Sequence, residues 1–74
     1  MLEEKLRQKI LTVAQAEANT RGWPWLEPVA VEATRIAGQE AWAVRTNVYA
    51  RGCNIHILIR ASDLTVVETG FLPR

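Results

Sequence analysis

The stretch "CNIHILIRA", residues 53–61, decides the fold. Cys53, Ile55, Ile57, Ile59 and Ala61 alternate with Asn54, His56, Leu58 and Arg60, a period of two that marks a strand with one apolar and one largely wet face. Such a strand needs neighbours along both edges and a cover over its apolar side.

Working backwards, Trp42, Val44, Thr46 and Val48 alternate in the same way with Ala43, Arg45, Asn47 and Tyr49. Turn signals stand at "AGQ" (37–39), "ARG" (50–52) and "ASD" (61–63). They divide residues 29–72 into four strands, expected at about 29–36, 40–50, 53–61 and 64–70. The connections between them are too short for anything but antiparallel hairpins.

The cover comes from the amino-terminal side. Leu2, Leu6, Ile10, Val13 and Ala14 recur at three- and four-residue spacing, with Leu11 and Ala18 flanking the same face. The spacing predicts an amphipathic helix from about 2 to about 20, closed by "NTRG". Glu3 and Glu4 near its start and Arg21 near its end suit the helix dipole. The expected architecture is α+β: one helix packed on one face of a four-stranded antiparallel meander, in the order α-β-β-β-β.

A chain of 74 residues forms at most one domain, expected across 1–74, and its core is thin. Cys53 is the only cysteine and His56 the only histidine, so neither an internal disulfide nor a two-Cys or two-His zinc pattern is open to it, and no cofactor is expected. Self-association is the remaining common route to extra support, which predicts a homodimer. The net charge of +1 creates no strong field toward nucleic acid or an anionic membrane. The charged start "MLEEKLRQKILTVAQ" lacks a signal-peptide core, and no stretch approaches the ~20 apolar residues of a membrane span, so a cytoplasmic protein is expected. A starting Met and a closing "FLPR" are compatible with a complete small reading frame.

Between helix and sheet lies "RGWPWLEP", residues 21–28, which Pro24 and Pro28 make a stiff, extended connector. Trp23 and Trp25 have two uses there. Either indole covers the end of the thin core, or the pair forms a rigid platform for a partner. Glu17 projects within about 20° of Leu6 on a helical wheel, which puts a carboxylate at the end of the apolar stripe. It pairs with a nearby Arg or, with Trp42 and Tyr49, lines a pocket between helix and sheet. Cys53 and His56 are expected on opposite strand faces, Cys53 as a small buried residue, and they form no nucleophilic pair. Arg35, Arg45, Arg51 and Arg60 are interleaved with Glu32, Glu40, Asp63 and Glu68, the pattern of cross-strand ion pairs on a solvated face, so nucleic acid is not an expected partner.

The segments "VAQAEANTRGW", "EAWAVRTNV" and "HILIRASDLTVVETG" together resemble the PepSY-type domains, with a weaker similarity to cystatin-like and nuclear-transport-factor-like immunity proteins. The turn in "RASDLTVV" departs from the PepSY pattern, having Leu64 and Thr65 where an Asp-x-x-Gly-like turn is usual. The resemblance implies a helix on a small antiparallel sheet, a non-enzymatic role in binding or inhibiting another protein, and no catalytic residue. Two functions stay open on the sequence. One is a protein-interaction module using a sheet-mediated dimer and a partner site near Trp23 and Trp25. The other is a small-molecule binder with a pocket lined by Glu17, Trp42 and Tyr49.

Overall fold

A computed structural model describes residues 2–73. Helix α1 (Glu4–Arg21) is followed by strands β1 (Val29–Ile36), β2 (Gln39–Thr46), β3 (Asn54–Arg60) and β4 (Val66–Leu72). The sheet order is β1-β2-β3-β4 with every pair antiparallel, so the expected α+β meander is the fold. No described helix is long and apolar enough to cross a membrane.

α1 starts two residues later than the spacing predicts, because Glu3 is extended and serves as the N-cap. Its end is at Gly22, whose φ of 73° lies in the left-handed region and whose N–H donates to the last turn. The Trp23 N–H then donates to the Ala18 carbonyl at 3.0 Å and turns the chain toward the sheet.

One layer of core fills the space between helix and sheet. Ile10, Ala14 and Ala18, four residues apart, are buried against Val44, Ile55, Ile57 and Ile59. Two of the three helix contacts are alanines, which lets α1 lie close to the sheet. Around this centre pack Leu2, Leu6, Trp23, Trp25, Val31, Trp42 and Phe71. The inner face reads Val31, Val44, Ile57, Thr69 across the four strands. The outer face reads Ala30, Arg45, His56, Gly70 in one row and Glu32, Ala43, Leu58, Glu68 in the next.

Three sequence expectations are corrected. β2 ends at Thr46 rather than near 50, because Asn47 takes a φ of 53° and leaves the strand. Val48 and Tyr49 therefore stand exposed on a loop instead of alternating across a sheet. Cys53 also has a left-handed φ of 56°, so it precedes β3 as a half-buried residue rather than opening the apolar face. β4 begins at Val66, two residues late, because Leu64 (φ 55°) belongs to the turn that Asp63 closes by accepting the Thr65 N–H at 3.1 Å.

Candidate binding cleft

The helix covers one face of the sheet and leaves the other open. At one end of this outer face the loop 47–53 rises over the strand ends and creates a cleft of about 750 Å³. Ala30, Arg45 and His56 of the outer face line it, with Val48, Tyr49, Arg51 and Leu72 around them. Tyr49 is 89% exposed and Leu72 51%, the two highest values among the large apolar side chains described.

The loop holding Tyr49 and Arg51 is fastened by two asparagines. Asn54 Nδ2 donates to the carbonyls of Thr46, Asn47 and Ala50 at 3.1, 2.9 and 3.1 Å, and Asn54 Oδ1 accepts the Gly52 N–H at 2.7 Å. Asn47 Nδ2 donates to the Gly52 carbonyl at 3.0 Å. Backbone bonds from Asn47 N–H to the Leu26 carbonyl and from Val48 N–H to the Pro28 carbonyl tie the loop to the linker as well. An asparagine is the side chain suited to this, since it carries donors and an acceptor on one short stem and tolerates left-handed backbone at position 47. An exposed aromatic is thus held on a fixed frame, so little ordering entropy is lost when something docks on it.

The cleft lining is one-sided in charge. Among the described residues it includes Arg45 and Arg51 and no carboxylate. Arg45 pairs with Glu32 on the neighbouring strand. This contact fixes the guanidinium and, because the group has five N–H donors, leaves others free to face the cleft. Arg51 makes no ion pair among the described residues. Gly70 sits across from His56, and a Cβ built on it meets nothing within 4 Å, so packing within the chain does not require a glycine there.

The residues that the sequence singled out lie elsewhere, apart from Tyr49. Trp23 stacks on Phe71 with ring centroids 5.3 Å apart and planes 13° from parallel. The Arg21 guanidinium lies over the Trp23 ring at 5.3 Å, and Glu17 holds Arg21 at 2.6 Å. Glu17 is thus the first link of a chain that ends on β4. Trp25 is half-buried against the core and borders a groove of about 320 Å³ beside Arg7, Leu11 and Gln15 of α1. Both tryptophans of the connector therefore contribute to the core. Trp42 packs on the inner face with its indole Nε1 buried and without a hydrogen-bond partner. Glu17 and Trp42 do not line the cleft that Tyr49 borders, and Ile10, Ala14, Val44 and Ile57 fill the space between helix and sheet.

The sequence reading missed the cleft itself. Its signal was the pair Asn47 and Asn54 bracketing "VYARGC", two left-handed-tolerant, amide-bearing residues either side of an unusually long hairpin loop. Comparison with models of known protein families, with curated proteins and with solved structures finds no match to this chain.

Proposed function

We propose that the protein is a small non-catalytic protein-interaction module that works as a homodimer joined edge to edge through β4. The observation that carries this reading is the state of that edge. No described backbone hydrogen bond outside the sheet ladder uses a group of Val66–Leu72. Its sequence "VVETGFL" contains a single charged residue, and Val67 and Leu72 are exposed. Natural edge strands are usually shielded by charge, proline, a bulge or a covering element. The register shift of β4 lies at its start, opposite Leu58 and Ile59, and the regular stretch Glu68–Leu72 beyond it is open to pairing with another strand. The resemblance to PepSY-type domains points toward a binding role too.

The register follows from the residues. Antiparallel pairing of two β4 strands about Thr69 sets Glu68 opposite the second copy's Gly70, so the two glutamates do not face each other. The result is a continuous eight-stranded sheet with both helices on one side and both clefts open on the other. The near-neutral net charge of +1 adds little repulsion between copies.

Light scattering over a concentration series tests the dimer, and two substitutions at Gly70 test the register. Gly70→Glu places a like charge opposite Glu68 and weakens the dimer about tenfold, whereas Gly70→Lys leaves it intact or tighter. Both side chains enter open space, so the monomer fold is unaffected. A monomeric mass at high micromolar concentration, or equal effects of Glu and Lys, overturns the proposal.

A further inference from the structure

We infer that the cleft under loop 47–53 recognises an acidic peptide segment of a partner protein, with a carboxylate beside an aromatic or large apolar side chain. The inference rests on the interaction-module reading and names the partner's chemistry.

Three independent observations converge on it. Among the described residues the lining carries Arg45 and Arg51 with no carboxylate, although the chain has eight acidic residues to nine basic ones overall. Arg45 is paired with Glu32, and Arg51, which has no ion-pair partner among the described residues, gives the cleft its unneutralised positive charge. Arg guanidinium groups bind carboxylates by paired, charge-assisted hydrogen bonds. Apolar surface is presented beside the cations, in Tyr49, Val48 and Leu72. A simple inorganic anion makes no use of such a rim, whereas a peptide with a neighbouring aromatic side chain does. The floor is kept low by Ala30, which shares the outer-face row of Arg45 and His56. A low floor of this kind leaves room for an extended peptide backbone.

Nucleic acid fits less well. The basic groups form one cluster rather than a track, and Tyr49 is the only aromatic residue in the lining, where single-stranded binding uses successive stacking platforms.

The test uses a blocked synthetic peptide of alternating aspartate and phenylalanine, with an asparagine-phenylalanine peptide as control. Binding is followed through amide shifts of the full-length protein. The expected result is saturable movement confined to Ala30, residues 45–56 and Leu72 with the acidic peptide and not with the control. Affinity falls about tenfold in Arg51→Gln and in Tyr49→Ala, and it falls with added salt. Both substitutions are at exposed loop positions, so spectra elsewhere are unchanged. Equal binding of the asparagine peptide, movement at other residues, tighter binding of a short oligothymidylate, or a response to inorganic phosphate that the peptide does not exceed would each overturn the inference. Mass measured on the same samples separates the two proposals. A monomer that binds the peptide removes the dimer alone, and a dimer indifferent to it removes the cleft assignment alone.

Discussion

Thr46 Oγ1 accepts the backbone N–H of Ile55 at 2.9 Å in the fully buried end of the sheet. The chain leaves β2 at Asn47, so the ladder that would have supplied a carbonyl to Ile55 stops one residue short. A hydroxyl takes its place, which explains why the one buried polar side chain among the described residues is a threonine. Thr46→Val keeps the shape and orphans that N–H, with an expected loss of about 1–3 kcal/mol in chemical denaturation. Faster hydrogen exchange at Ile55, without a change of fold, locates the effect.

Asn54 is the second fastening at that end. Asn54→Asp removes the amide donors to three carbonyls while keeping the acceptor for Gly52. The expected cost is about 2 kcal/mol or more, with Tyr49 and Arg51 amides losing order on the nanosecond timescale. Unchanged relaxation across residues 47–53 would show that the loop is held by something else.

The β1–β2 hairpin turns through Ala37 (φ 50°) and Gly38 (φ 81°), both left-handed as a type I′ turn requires. Alanine is a poor choice for the first of these positions. Ala37→Asn relieves it, and thermal unfolding should report a gain of about 0.5–1 kcal/mol.

The stack of Trp23 on Phe71 ties the end of α1 to β4. Phe71→Leu keeps an apolar side chain and loses the ring contact, with an expected cost of about 1 kcal/mol and a red-shifted, more quenchable tryptophan emission. Glu17→Gln releases Arg21 from the ion pair at 2.6 Å, and because that pair lies at the surface the cost is below about 1 kcal/mol. A larger loss at Glu17 than at Phe71 would reverse the assignment of structural weight.

The Asp63 carboxyl is held below its ordinary value of 3.8, first by a hydrogen bond from the Thr65 side chain and then by the Thr65 N–H and the Arg60 charge, which together outweigh a small desolvation. A depressed carboxyl stabilises the turn above 3.8 and loses that contribution as pH falls through its folded value. Thr65→Val should move the Asp63 titration, followed by carbon NMR, back up toward 3.8. A curve that does not move would assign the depression to Arg60.

The helix and the existence, order and faces of the strands were legible because burial is written as periodicity. Ile10, Ala14 and Ala18 repeat by four and Ile55, Ile57 and Ile59 by two, and laying the helix on the sheet buries both sets together. The strand ends were not, because left-handed residues at Asn47, Cys53 and Leu64 end or delay strands without altering the apolar pattern. Val48 continues the alternation of Trp42, Val44 and Thr46 and is nonetheless on a loop. The alternation itself set Tyr49 on the face away from Trp42, and the expected pocket that joined the two crossed that division; Tyr49 stands on the rim of the cleft on the open face. Trp23 and Trp25 stood out by composition, yet their surroundings depended on Phe71 and on the course of the linker, neither of which is a local property.

The meander has a consequence for the order in which the chain is assembled. Each sheet pairing joins strands adjacent in sequence, so the hairpins close short loops and zip in turn. The contact between Trp23 and Phe71 is different, since it joins the end of the helix to the last strand. During synthesis α1 emerges first, and its face of Ile10, Ala14 and Ala18 has nothing to lie on until Ile55–Ile59 follow and Phe71 appears. Leu2, Leu6, Leu11 and Val13 beside that stripe are uncovered for as long, so the rapid local closure of the meander also shortens the time the helix spends bare on the ribosome.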